Sequence, residues 1–190
     1  MKVKQQLTRK YYKYITVESS WTQPVLSSNG TIGVDDFAVT ADFAVERAYY
    51  PFRGGDSAWR GQIGKSLIMY SNNALCIKRL GFSCDSTYYV KSFTLYGSND
   101  GNSWNAIQSF TQNVTSFVTF EVNNNNFYKY YKFYVNDAKS GNCYLMNMQL
   151  TATQQTTTIV EGTESNYDFY EDEIALNAFV DNNILKAMKF

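Results

Sequence analysis

Residues 90–97 alternate without a break. Val90, Ser92, Thr94 and Tyr96 fall on one side, and Lys91, Phe93 and Leu95 on the other. That two-residue period belongs to a pleated strand with two different faces. Asn99-Asp100-Gly101-Asn102 follows, and Asp-Gly supplies the backbone freedom that a hairpin turn needs. Residues 104–110 then return. A chain that doubles back in this way pairs antiparallel with itself, and no helical period separates the two runs.

The pattern recurs along the chain. Residues 11–17, 66–70, 75–82, 117–122, 127–135 and 144–152 read as further strands, and 37–45 as a weak strand or an irregular connection. Turn residues lie between them: Pro24, Ser27-Ser28-Asn29-Gly30 and four asparagines at 123–126. The aromatic load of 16 Tyr, 13 Phe and 3 Trp suits half-buried pleated surfaces. Trp104, just after the Asp-Gly turn, reads as a core residue. Short strands with regular turns predict an all-β antiparallel sandwich of the jelly-roll kind, not a parallel α/β sheet.

The chemistry changes after the Thr/Gln run at 153–158. Ser165 and Asp168 stand where an N-cap and a capping acid would, with Glu171, Asp172 and Glu173 in the first turn and Lys186 and Lys189 in the last. That charge order suits a helix macrodipole. Phe169, Leu176, Val180 and Ile184 fall on one side of such a helix. The organisation read from these signals is a sandwich over 1–153, a linker over 154–164 and an α-helical tail over 165–190. The stripe either lies on its own sandwich or docks on a neighbouring subunit, and Phe169, Leu176, Val180 and Ile184 are the candidate assembly residues.

Composition excludes several functions. There is no histidine, which removes Ser-His and Cys-His nucleophile systems and every histidine metal site. Lys+Arg and Asp+Glu balance at 17 each, so no overall field draws the chain to nucleic acid or to a membrane surface. The paired acids Asp35-Asp36 point to opposite faces in extended chain and make no glycosidase pair. Tyr/Lys interleaving at 10–14 and 127–134 follows from strand alternation, with lysine stems along the edge. Cys76, Cys84 and Cys143 have no metal-ligand spacing, and eight extended residues hold Cys76 and Cys84 too far apart to bond. They read as buried thiols of a protein assembled in a reducing cytosol. Residues 1–13 are polar and basic, so no signal peptide is expected. The expectation is a chain that is not an enzyme, with no cofactor and no metal.

Three stretches carry a resemblance to the discoidin-like, or coagulation factor 5/8 type C, domains of the galactose-binding-like jelly rolls. Residues 48–59, Ala-Tyr-Tyr-Pro-Phe-Arg-Gly-Gly-Asp-Ser-Ala-Trp, look like that family's Ala-Phe-Asp-Gly-Asn…Trp loop. Tyr96-Gly97-Ser98-Asn99-Asp100-Gly101-Asn102-Ser103-Trp104 is close to a family signature. Residues 127–152 resemble the paired closing strands. The Thr22-Gln23-Pro24-Val25-Leu26-Ser27-Ser28-Asn29-Gly30-Thr31 run and the closing Thr151-Ala152-Thr153-Gln154 are similar in style to versions found in bacteriophage structural proteins.

The resemblance implies a binding role through loops at one end of the sandwich. The candidate glycan-contact residues are Tyr50, Arg53, Asp56, Trp59, Arg60, Phe82, Tyr88 and Tyr144. A sugar site needs an aromatic face and planar polar groups. Trp59 with Arg60 and Asp56 supplies both; alternatively Trp59 pins the loop to the core. The resemblance also implies a structural Ca²⁺ beside this loop, but Arg53 stands before Gly54, and Asn147 to Gln149 stand where the family places an acid on the final strand. No Ca²⁺ is therefore expected there. The function so implied is a non-enzymatic virion structural or accessory protein, a capsid decoration, head-fibre or tail component. Its expected place is the virion, assembled in the host cytoplasm. Its expected partners are other virion proteins or sister subunits, as a homo-oligomer, and host-surface carbohydrate. The alternative is a free-standing carbohydrate-binding adhesion module.

Overall fold

The structure is a computed structural model that describes residues 5–55 and 57–169, with side chains described for 12–55 and 57–161. Among these residues nine strands follow one another: β1 (Gln5–Thr22), β2 (Phe37–Ala41), β3 (Trp59–Gln62), β4 (Ser66–Cys84), β5 (Val90–Ser98), β6 (Asn105–Val114), β7 (Val118–Glu121), β8 (Tyr128–Ala138) and β9 (Asn142–Phe169). Every register given for a strand pair is antiparallel. The all-β antiparallel expectation holds.

Two units of chain are compact by themselves. One, Thr16–Thr156, is the sandwich. The other comprises Met1–Ile15 and Thr157–Phe190. Its described residues are the outer ends of β1 and β9, which are hydrogen-bonded neighbours. Tyr12, Tyr14, Ile159 and Val160 are exposed there.

Within the sandwich β4 makes the layers. Its first part pairs with β2 and β8, as in Met69 opposite both Val39 and Tyr131. The register shifts between Tyr70 and Leu75. Beyond that shift β4 pairs with β9 and β7, as in Leu80 opposite Leu150 and Phe120. One layer is therefore β2-β4-β8-β5-β6. The other is β7-β4-β9, with β3 and β1 beyond β9. Phenylalanines fill the space between. Phe82 of β4 and Phe120 of β7 meet Phe93 of β5 at 5.4 and 5.2 Å between ring centroids. Phe133 and Phe110 stack on Phe93 at 4.4 and 4.7 Å.

The hairpin forms where expected, between β5 and β6. Asp100 organises it: its Oδ1 accepts from Ser98 Oγ at 2.9 Å and from the backbone N–H groups of Asn102 and Ser103 at 2.8 Å. These bonds favour the ionised carboxylate and hold its pKa well below the usual range. Gly101 takes φ +73°, and a Cβ there would sit 3.2 Å from the Tyr130 ring.

Several expectations change. The strands expected at 66–70 and 75–82 are one strand, β4, and β3 is additional. Residues 154–164, read as a linker, are extended and belong to β9. The expected helix starts on the same strand, since 165–169 complete β9; the polar threonines that suggested a linker are β-branched and favour strand backbone. Phe169 ends that strand. Residues 170–190, with Leu176, Val180 and Ile184, lie outside the described residues. Trp104 is not in the core: it is partly exposed on the outer face, with the Lys132 ammonium 4.3 Å above its ring.

Candidate functional site

β3 and the start of β9 form the end of the sandwich that also carries the β2–β3, β4–β5 and β8–β9 connections. Alternation decides which side chains reach the surface here. Trp59, Cys143 and Leu145 point inward and are fully buried. Arg60 and Tyr144, their neighbours, point outward and are register partners across β3 and β9. On the other side of β9 the 85–88 segment closes in: Tyr144 N–H donates to Tyr88 O at 2.8 Å and Asp85 N–H to Tyr144 O at 3.3 Å. Tyr144 is thus flanked by Arg60 on one side and Tyr88 on the other.

The side chains follow the backbone spacing. The Tyr88 and Tyr144 rings stack with centroids 4.5 Å apart and planes 21° from parallel. The Arg60 guanidinium carbon lies 5.2 Å from the Tyr144 centroid. These distances match the roughly 4.8 Å between adjacent strands. The result is a three-rung ladder, guanidinium, phenol, phenol, on one outward face. Asp85 fixes the last rung: its Oδ1 accepts from Thr87 N–H at 2.7 Å and Tyr88 N–H at 3.1 Å. The Asp-Ser-Thr run is a recognisable turn signature, so the role of Asp85 had a signal in the sequence.

A second cluster holds the other loop candidates. The Arg53 guanidinium carbon lies 5.4 Å from the Tyr50 ring centre and 5.8 Å from that of Tyr49, and Arg47 approaches Tyr50 at 5.4 Å. Asn29 clamps the preceding turn, donating to Val45 O at 2.8 Å and accepting from Tyr49 N–H at 3.0 Å.

Two candidates do not reach the surface. Trp59 is completely buried, and its indole N–H donates to Phe43 O at 2.8 Å. The ring anchors the β2–β3 connection and offers a ligand no face. Phe82 is equally buried among Phe93, Phe120 and Phe133. Asp56 lies outside the described residues.

A groove of about 380 Å³ opens beside this end, between Thr22–Val25, Pro51–Gly54 and residues 147–151 of β9. It was not legible in the sequence. Gln23 donates through Nε2 to Met148 O at 2.9 Å, which leaves its buried Oε1 without a partner among the described residues. Asn147 takes φ +52° and donates to Ser83 Oγ at 3.1 Å. Gly54 and Asn147, the positions where the resemblance placed a Ca²⁺ site, both line this groove. Among the described residues, the lining contains amides, hydroxyls and apolar groups but no carboxylate. That set does not fit a hard cation that takes six to eight oxygen ligands, several of them charged. Among the described residues, no three His, Cys, Asp or Glu side chains gather as a metal site.

The three cysteines are free and buried, as expected. Burial pushes the Cys84 thiol up to about 12 and raises that of Cys143 as well. Both remain protonated and unsuited to nucleophilic work at neutral pH.

Neither a protein-family model nor a curated protein matches the sequence. Solved structures do match the fold. The family 32 carbohydrate-binding module (CBM) of Clostridium perfringens NanJ, in complex with galactose, superposes with a TM-score of 0.53 at 9% identity, covering 61% of this chain and 93% of that one. CBM32 of AlyQ, in complex with 4,5-unsaturated mannuronic acid, gives 0.52 at 12% identity, covering 60% and 92%. CpGH89CBM32-6 from Clostridium perfringens gives 0.50 at 17% identity, covering 62% and 94%. At such identities the likeness is one of fold. Joined to the two-layer antiparallel topology above, it shows that the chain has the galactose-binding-like, or discoidin-like, fold.

Proposed function

We propose that this chain is a non-catalytic carbohydrate-binding module whose contact surface is the loop-bearing end of the sandwich. The ladder of Arg60, Tyr144 and Tyr88 carries the reading. It gathers outward aromatic and guanidinium groups from three separate segments on one face, and the 85–88 turn holds it in place. Sugars are recognised by such pairings of aromatic surface with planar donors. The similar solved modules are themselves carbohydrate-binding. The test is a glycan array followed by calorimetric titration of the best binder. The intact chain is expected to bind, and Tyr88→Ala to weaken binding by about tenfold or more, the equivalent of about 1.4 kcal/mol. An array on which the intact chain binds nothing would sink the proposal.

A second reading, a virion accessory protein that displays the sandwich, has one observation in its favour. The unit of Met1–Ile15 and Thr157–Phe190 exposes Tyr12, Tyr14, Ile159 and Val160, which glycan contact at the ladder does not require. Such apolar groups suit burial against another chain. On this reading the intact protein is an oligomer in solution, and Tyr12→Ser with Tyr14→Ser and Ile159→Ser lowers its mass to that of one chain. A single-chain mass for the intact protein would contradict self-assembly.

A further inference from the structure

We propose that the ladder selects sugars that carry a carboxylate, such as hexuronic acids, and that Arg60 grips that carboxylate. This rests on the carbohydrate-binding reading above and narrows it to a ligand class.

The argument begins with the middle rung. Tyr144 has Tyr88 stacked on one side and Arg60 on the other. The backbone places them there, since β3 and the 85–88 segment flank β9 from opposite edges. Both faces of the Tyr144 ring are therefore covered, and neither is free to take the C–H face of a pyranose. The ladder can offer a sugar only its two ends: the outer face of Tyr88 and the Arg60 guanidinium.

Arg60 is poised for an anion. It is exposed at the surface. Its guanidinium carbon lies 5.2 Å from the Tyr144 ring centre, within cation–π range. Among the described residues no carboxylate lies within ion-pair distance of it; the pairs that do form are Arg47–Glu46, Arg79–Glu121 and Lys91–Asp137. Asp85, the acid in the segment that bears Tyr88, spends its Oδ1 on two backbone N–H groups. A second cation lies over the ring that follows Tyr88 in sequence: the Lys139 ammonium is 5.2 Å from the ring centre of Tyr89, and Lys139 N–H donates to Tyr89 O at 2.9 Å. A guanidinium is a planar fork that matches a carboxylate with two parallel hydrogen bonds, which a lone hydroxyl cannot supply. Tyr88, at the opposite end of the ladder, is left to a neighbouring unit of an oligosaccharide.

The test uses the full chain and matched probes: oligogalacturonate, oligomannuronate and sialyllactose, each against its methyl-ester form, plus neutral galacto-oligosaccharides. Binding is measured by titration calorimetry at low ionic strength. At least one free acid is expected to bind about tenfold or more tighter than its ester. That preference is expected to fade below about pH 4, where the sugar carboxylate protonates. Arg60→Gln is expected to abolish it with no change in melting temperature, and Arg60→Lys to keep part of it. Equal affinity for acids and esters, or an acid preference that survives Arg60→Gln, overturns the inference. Tight binding of neutral sugars with Arg60→Gln silent refutes the acid preference and leaves the carbohydrate-binding reading standing. Failure of every acidic and neutral probe removes both.

Discussion

Phe93→Ala is expected to destabilise the chain by about 3–5 kcal/mol, the range for deleting a buried phenylalanine. Phe93 is almost wholly buried and touches four other phenylalanine rings. Phe133 of β8 and Phe110 of β6 stack on it within its own layer, at 4.4 and 4.7 Å. Phe82 of β4 and Phe120 of β7 meet it edge-on from the facing layer, at 5.4 and 5.2 Å. Each partner sits on a strand that is hydrogen-bonded in register to a neighbour. The walls of the resulting cavity cannot easily collapse, and the cavity term adds to the lost transfer energy. The check is a denaturant titration at unchanged slope. A loss below about 1 kcal/mol would mean that the two layers are not joined through this ring.

Strand alternation makes the frame readable in the sequence. The parity of 90–97 put Phe93 and Leu95 on one face, and both are buried; Val90 and Thr94, grouped with Tyr96 on the other, are buried as well, and the register shifts between Val90 and Ser92. The same parity, applied locally, was also the signal that Phe82 is a core residue and that Trp59 takes the core-pinning alternative rather than the glycan-contact one. Leu80, Phe82 and Cys84 share a face, so Phe82 belonged with the core. Trp59 precedes Arg60 in a strand, so an outward Arg60 implies an inward Trp59. Proline and glycines nearby gave that stretch the look of a loop, and the four-residue strand β3 has no β-branched residue to announce it.

The polar Ser71-Asn72-Asn73 falls between the two strands expected at 66–70 and 75–82. In the structure the strand continues through it while its partners change, so a polar interruption marks a change of layer and not an end. The Thr-rich segment after 153 misled in the opposite way. Its polarity suggested a solvated linker, while its β-branching favoured the strand that forms. For the site, Arg60, Tyr88 and Tyr144 were each recognisable as surface aromatics or cations near loops. Their juxtaposition was not, because it depends on β9 being flanked by β3 on one edge and by the 85–88 segment on the other. Such pairings join residues far apart in sequence and leave no local pattern. The Gln23 Oε1, without a partner among the described residues, had no signal for the same reason, since its environment is built from β9 and the 51–54 turn.

Gly61→Val is expected to damage stability and ligand binding together, because Gly61 sets how closely β3 lies against β9. A Cβ at this position would stand 2.5 Å from Trp59 Cζ3, 2.7 Å from Trp59 Cη2 and 2.9 Å from Cys143 Sγ. Neither neighbour can give way cheaply. The Trp59 ring is fully buried and tethered by its N–H to Phe43 O, and Cys143 is fully buried on β9. The strain must then move the strand. Gly61 pairs with Cys143 and Arg60 with Tyr144 in the same register, so a displaced β3 carries the guanidinium off the Tyr144 ring. Overpacking of this kind costs about 1–3 kcal/mol. Affinity for the best glycan is expected to fall by about tenfold or more, although no ligand-facing side chain has changed. Adding Trp59→Leu to Gly61→Val removes the indole that the new side chain strikes. The double variant is then less destabilised than the two single losses added together, the mark of residues in direct contact. If Gly61→Val melts and binds like the intact chain, β3 is free to shift without disturbing the ladder, and strand pairing is not what aligns Arg60 with Tyr144.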